Sequence, residues 1–183
     1  MSDEHHQESF WTKYIFSQDH KWIGIQYGVT ALFFMLLGFV LMIVMRYQHV
    51  HSGTISPDTY NSFGAMHGTI MVFLGIVPVI VGAYGNYLVP LQVGAPDMAF
   101  PKLNMASYWT YFLGGVTMLY GFTLPGGAAN SGWTSYPPLA DIATTGQTVW
   151  LIGMIFLITS SLLGSVNIIV TIVQLRAPGL TWM

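Results

Sequence analysis

Residues Phe63–Pro101 read FGAMHGTIMVFLGIVPVIVGAYGNYLVPLQVGAPDMAFP. The apolar run inside this stretch exceeds the ~20 residues that cross a bilayer at ~1.5 Å rise per residue. It opens with His67 just inside the run and ends with Asp97 in a Gly/Pro turn beyond the far end. A histidine therefore lies near one membrane face and an acid near the other. An ionisable residue inside a span is costly, which makes His67 a functional candidate. A histidine hydrogen-bonded to a neighbouring helix satisfies the same position, so the sequence leaves both readings open.

Working outward, the chain of 183 residues is 53% hydrophobic and only 7% charged, with a mean hydropathy of +0.56. A water-soluble domain carries about 25% charged residues, so this chain cannot cover a water-facing surface. It reads as an all-α polytopic membrane protein. A net charge of −2 without a basic run gives no footing for nucleic acid. With no cysteine, imidazole or thioether must supply the protein ligands of any metal. The start, MSDEHHQESFWTKYIFSQDHK, is polar and mixed in charge, and lacks the basic start and apolar core of a signal peptide.

Hydropathy predicts four transmembrane helices, at about Trp22–Met45, Phe63–Leu88, Ala106–Leu124 and Thr148–Leu175. Pro78 should kink the second without breaking it. Residues 1–183 read as a single membrane domain, with 1–21 as a polar segment on the inner face. With the N-terminus inside, Lys13, Lys21, Lys102 and Arg176 all fall inside and only Arg46 outside, the direction of the positive-inside rule.

Two constellations stand out. On the outer side, Arg46 closes the first helix at the depth of His67. Phe39 and Met42 share its face, and Met71 lies one turn below His67. Gly68, Gly75 and Gly82 recur every seven residues, allowing close approach of another helix or of something flat. These residues line a slot for a planar ligand, or else pack helices around a snorkelling arginine. His49 and His51 sit in the outer loop and read as solvated; apart from His67, the histidines fall in tails or loops. On the inner side, Asp97 is flanked by Asn86 and Asn104, either a capping cluster or the mouth of a proton path. Ser160, Gly164, Asn167, Thr171 and Gln174 form one stripe of small and polar residues on the last helix.

The run AMHGTIMVFLGIVPVIVGAYGNYLVPLQVGAPDMAFPKLN, then GWTSYPPLA and SSLLGSVNIIVTIVQLRAPG, closely resembles subunit I of the haem–copper oxidases, and HKWIG resembles the start of its first helix. The resemblance runs in order from Phe16 onward. It implies that His67 is one axial ligand of the low-spin haem, haem a in the cytochrome c oxidase branch. It implies that Arg46 hydrogen-bonds the haem formyl group and tunes its potential, with Tyr60 and Trp133 near the haem and its propionates. It makes Asp97 the entrance acid of the D proton channel, with Asn86, Asn104, Tyr27, Ser160, Ser161 and Asn167 along it.

Quinol-oxidising relatives carry an acid where this chain has Val50, His and Gln where it has Thr59 and Ser62, and GARD where it has GAPD. The likeness is therefore closer to cytochrome c oxidase, with the quinol branch and a haem-free membrane scaffold or transporter as alternatives. The family subunit has about a dozen helices, and four is its first third. The ligands of the second haem and of copper, the partner histidine of the low-spin haem, the K channel and the terminal glutamate of the D channel have no counterpart here. The resemblance implies a truncated or split subunit, inactive alone. Its partners would be the rest of subunit I, copper-bearing subunit II, subunit III and cytochrome c, in a bacterial cytoplasmic or mitochondrial inner membrane.

Overall fold

The computed structural model describes residues 9–181. Most of the expected inner-face segment 1–21 is seen, but its first eight residues lie outside the described part. The described residues hold four long helices and no strand: α1 (His20–Val50), α2 (Pro57–Val93), α3 (Pro101–Tyr120) and α4 (Thr145–Gln174). Three of them, α1, α2 and α4, are long and apolar enough to cross a membrane. The exception is α3, expected over Ala106–Leu124. It begins earlier, at Pro101, and its first turns carry Lys102, Asn104 and Ser107, which dilute its apolar character.

Local chemistry sets the helix ends. Asp19 caps α1, its carboxylate accepting from the Lys21 N–H at 2.8 Å and the Trp22 N–H at 3.2 Å. Ser56 caps α2 with Pro57 in the first turn, where a missing N–H costs nothing. At the other end Gly94 stops α2 in a left-handed conformation (φ +73°) that a side chain resists. Beyond it, the Ala177 N–H donates to the Val93 carbonyl at 2.9 Å and ties the end of α4 to the end of α2.

Neighbouring helices run antiparallel. The start of α1, the turn holding Asp97, the start of α3 and the end of α4 gather at one end of the bundle, with Lys21, Lys102 and Arg176. Arg46 lies at the opposite end, where Met45 packs towards Gly64. Ile23, Tyr27 and Phe34 from α1, Ile70 and Leu74 from α2, Tyr111 and Met118 from α3, and Trp150 and Leu157 from α4 form the core.

Polarity is inverted relative to a water-soluble bundle. Asn104, Ser107, Asn167 and Thr171 are wholly buried, while Val29, Leu32, Leu36, Ile155, Ile158 and Ile169 face outward. Apolar atoms face lipid or further protein, and polar atoms face each other. Small residues close the helix contacts. A Cβ on Gly75 would sit 2.5 Å from Met35, and one on Gly82 2.6 Å from the Tyr27 ring. Gly114 and Gly153 bring the backbones of α3 and α4 together, each one's Cβ position within 3.1 Å of the other's carbonyl oxygen. Of the seven-residue glycine repeat, Gly75 and Gly82 thus serve helix packing, and Gly68 faces Trp133 of the loop before α4.

Pro78 does not break α2. The helix widens into π-type turns over Ile70–Ile76 and Pro78–Gly85 and continues to Val93. Gly82→Ala would drive a methyl into a rigid ring, outweighing the ~1 kcal/mol that alanine gains over glycine in a helix. The expected net loss is about 1–3 kcal/mol, read as a lower thermal midpoint of the assembled protein.

Candidate functional site

At the Arg46 end, the site is built around His67. Its Nδ1 lies 2.8 Å from the Gly38 carbonyl oxygen of α1, so the ring nitrogen carries the proton and donates. That bond fixes both tautomer and ring orientation and leaves Nε2 with a free lone pair, the arrangement that presents an imidazole to a metal. The side chain is half-buried. Met71 stands beside the same carbonyl's residue, its sulfur 2.8 Å from where a Cβ of Gly38 would be. Trp133 approaches the next residue of α2, with Cδ1 3.5 Å from the Cβ position of Gly68, and its ring leans on Phe73 at 6.0 Å. His67, Gly38 and Met71 are therefore brought together, and Trp133 packs on α2 at Gly68 and Phe73.

The other expected residues at this end lie further out. Phe39 and Arg46 are exposed and Met42 is half-buried. Tyr60 is drawn to the loop side, its hydroxyl 3.0 Å from His49 Nε2. His49 belongs to the last turn of α1 rather than to the loop, and the His51 ring packs on Tyr47. No group of three or more His, Cys, Asp or Glu able to hold a metal occurs among the described residues. An axial imidazole needs no such cluster, and the donor chemistry of His67 fits one axial position of a haem.

At the other end, the expected polar residues form a connected set. The Tyr27 hydroxyl donates to Ser107 Oγ at 3.0 Å and lies 3.1 Å from Ser160 Oγ. Ser160 Oγ donates to the Ser107 carbonyl at 2.6 Å, and Ser107 Oγ to the Asn104 carbonyl at 2.7 Å. Tyr27 has one proton and two hydroxyl neighbours, so the set can reorient. Asn104 is wholly buried with neither amide atom paired, and the Asn86 Oδ1 is buried and unpaired. A cavity of about 420 Å³ is lined by Tyr27, Asn86, Ser160, Ser161 and Gly164 among apolar groups; Asn104 is not part of its lining. Buried polar atoms without protein partners are where water binds.

The stripe on α4 divides by role. Asn167 is occupied with the turn after Asp97: its Oδ1 accepts from the Phe100 N–H at 2.9 Å and its Nδ2 donates to the Phe100 carbonyl at 3.2 Å. Thr171 accepts from the Ala99 N–H at 2.9 Å. Gly164 meets nothing within 4 Å of its Cβ position, so it is not a tight helix contact, and Gln174 is exposed. Asp97 itself is half-buried, and its carboxylate accepts from the Met98 N–H at 2.6 Å. Burial raises its pKa above the ordinary range. The Met98 N–H and the nearby His20 pull it down, and Asp19 pushes it up.

Sequence reasoning missed two members. His20 is not in a tail: it opens α1, is 2% exposed, and its Nδ1 donates to the Asn86 carbonyl at 2.8 Å. Asp19, a strong capping residue type just before an apolar run, is the signal that would have started the helix there. Ser107 lies three residues after Asn104 on the same helix face, a spacing that could have drawn it into the set.

The sequence matches the family model described as "Cytochrome C and Quinol oxidase polypeptide I" over residues 22–183. The chain belongs to this family. It is 48% identical to a protein named cytochrome c oxidase subunit 1 from Thermostichus vulcanus, over 98% of this chain and 33% of that protein. It is 42% identical to an alternative cytochrome c oxidase subunit 1 from Bradyrhizobium diazoefficiens, over 98% of this chain and 32% of the relative. A probable cytochrome c oxidase subunit 1-alpha from Streptomyces avermitilis is 41% identical, over 92% of this chain and 30% of its own length. The chain thus spans about a third of the length of these subunit I relatives and corresponds to an N-terminal portion.

The raised pKa of Asp97 has a testable sign. A carboxyl whose folded pKa is raised favours the fold below the ordinary carboxylate pKa of ~4, and that contribution is lost as pH rises through the raised value. In the complete assembly, the carboxyl C=O infrared band that Asp97→Asn removes should titrate with a midpoint above ~4. A midpoint at or below that would show that the hydrogen bond from Met98 outweighs burial.

Proposed function

We propose that this chain forms the N-terminal module of a respiratory cytochrome c oxidase subunit I, crossing the membrane four times with its N-terminus inside. In this reading it supplies one axial ligand of the low-spin haem and the entrance of a proton path. What supports it most is that α2 carries two different polar environments at its two ends. His67 has its tautomer fixed by a backbone carbonyl at one end, and an acid beside unpaired buried amides lies at the other.

His67 would hold the iron through Nε2, while the Gly38 carbonyl keeps the ring's proton on Nδ1 and makes the imidazole a better donor. A haem bound there would supply reversible one-electron transfer. Arg46, exposed at the end of α1, would reach a polar group at the haem edge, and Phe39, Met42 and Met71 would give apolar contact. Trp133 would cover the face next to Gly68, and Tyr60 would lie toward the propionates. This is a cytochrome c oxidase rather than a quinol oxidase assignment, resting on Val50, Thr59, Ser62 and the GAPD turn, and the named relatives agree with it.

Protons would enter at Asp97, whose raised pKa favours proton uptake. Asn86 and Asn104 would bind water, and Tyr27, Ser160 and Ser161 would carry the path toward the middle of the bundle. Asn167 would hold the turn that positions Asp97. The second haem, copper, subunits II and III and cytochrome c would complete the enzyme in an energy-transducing membrane, and the chain alone would be inactive.

Two substitutions in the complete complex test the two ends independently. His67→Ala should abolish the low-spin haem spectrum. Asp97→Asn should leave that spectrum intact, slow cytochrome c oxidation by roughly tenfold or more and lower the protons released per electron. An intact low-spin spectrum without His67 sinks the haem assignment. Unimpaired turnover and pumping in Asp97→Asn, with a loss of only about 1 kcal/mol in stability, would make Asp97 a cap and remove it from the path.

A further inference from the structure

Two of the nine prolines lie inside a helix beyond its first turn, Pro78 and Pro90, and both are in α2. A helical carbonyl at residue i normally accepts from the N–H of residue i+4. Proline has none, so Pro90 deprives the Asn86 carbonyl of that partner, and Pro78, at the join of two π-type turns where carbonyls reach to i+5, withholds an N–H from the Leu74 and Phe73 carbonyls alike. In water the loss is made good by solvent. In the interior of a membrane bundle it is not, and another donor must be found.

For the Leu74 and Asn86 carbonyls the structure shows one. The Tyr111 hydroxyl of α3 donates to the Leu74 carbonyl at 2.7 Å, across 37 residues of sequence. His20 Nδ1 of α1 donates to the Asn86 carbonyl at 2.8 Å, across 66 residues. Both donors are at most 2% exposed, and both belong to other helices than the one they serve. The two pairings share no residue, yet each joins the donor to a carbonyl one helical turn before a proline.

We propose that Tyr111 and His20 are positioning residues, each coupled to one proline, that together set the course of α2 between its two functional ends. Tyr111 holds the wide-turned middle of α2, seven residues beyond His67, against α3. His20 holds Asn86 against the start of α1, beside Asp97. Without the proline, the helix would close the carbonyl itself and the side-chain donor would be redundant. Without the donor, a carbonyl would be buried unpaired, which the low-dielectric interior penalises.

This coupling gives a rescue test, which rests on the oxidase reading only for its spectral read-out. In the complete complex, Tyr111→Phe removes one hydroxyl and little else, and Pro78→Ala restores an N–H one helical turn beyond Leu74. Tyr111→Phe alone should lower the thermal midpoint and shift the low-spin haem band. The same substitution in a Pro78→Ala background should do much less of both. If Tyr111→Phe prevents assembly, Pro78→Ala should restore it. His20→Gln and Pro90→Ala form the second cycle, read on thermal midpoint and assembly. Additive effects in both cycles, or no recovery of assembly by either alanine, overturn the proposal. A complex that shows the rescue in stability but has no low-spin haem keeps the coupling and overturns the oxidase reading.

Discussion

A polar group buried in a membrane has no water to turn to, and every such group in this bundle must find a protein partner or hold water of its own. That constraint organises the molecule. It explains why the polar residues are inside and the apolar ones outside. It explains why serine, threonine and tyrosine hydroxyls donate to backbone carbonyls one turn back or one helix away. It also makes the exceptions informative. Asn104 and Asn86 leave amide atoms unpaired in the half of the bundle that holds Asp97, beside the linked hydroxyls of Tyr27, Ser107 and Ser160; Trp109, Asn130, Ser131, Thr144 and Gln147 also leave a buried atom unpaired.

Helix contact follows from the same economy. With no hydrophobic drive between helices in lipid, close packing has to come from small residues, and glycines meet Met35, Tyr27 and the facing backbone at the α1–α2 and α3–α4 seams. The close α1–α2 seam is what puts the Gly38 carbonyl within reach of His67. A bulky residue at Gly38 would meet Met71 and Ile70 and push that carbonyl away. The packing device and the ligand-orienting device are one piece of geometry.

Much of this was legible in the sequence. Apolar length gave α1, α2 and α4, and the Gly/Pro turn gave the stop after Val93, because these depend on local composition alone. His67 and Asp97 stood out as ionisable groups at the two ends of one run. What could not be read were the partners across helices. Asn167 reads as a member of a path, and the sequence does not show that both its amide atoms bind the Phe100 backbone. His20 looked like a tail residue, whereas it is buried against Asn86. Tyr60 gave no sign that it would pair with His49. Hydropathy starts α3 late because its first turn is polar, and polarity there marks the buried interior rather than the end of a helix.

The central claim is that the unpaired amides of Asn86 and Asn104 mark a water-bearing path that begins at Asp97. A density map of the complete assembly, at a resolution that shows ordered water, tests this most directly. The account predicts water within hydrogen-bonding distance of Asn86 Oδ1 and of both amide atoms of Asn104, continuing to the Tyr27 and Ser160 hydroxyls. Finding those amide atoms paired with protein side chains, and no water between Asp97 and Ser160, would contradict it.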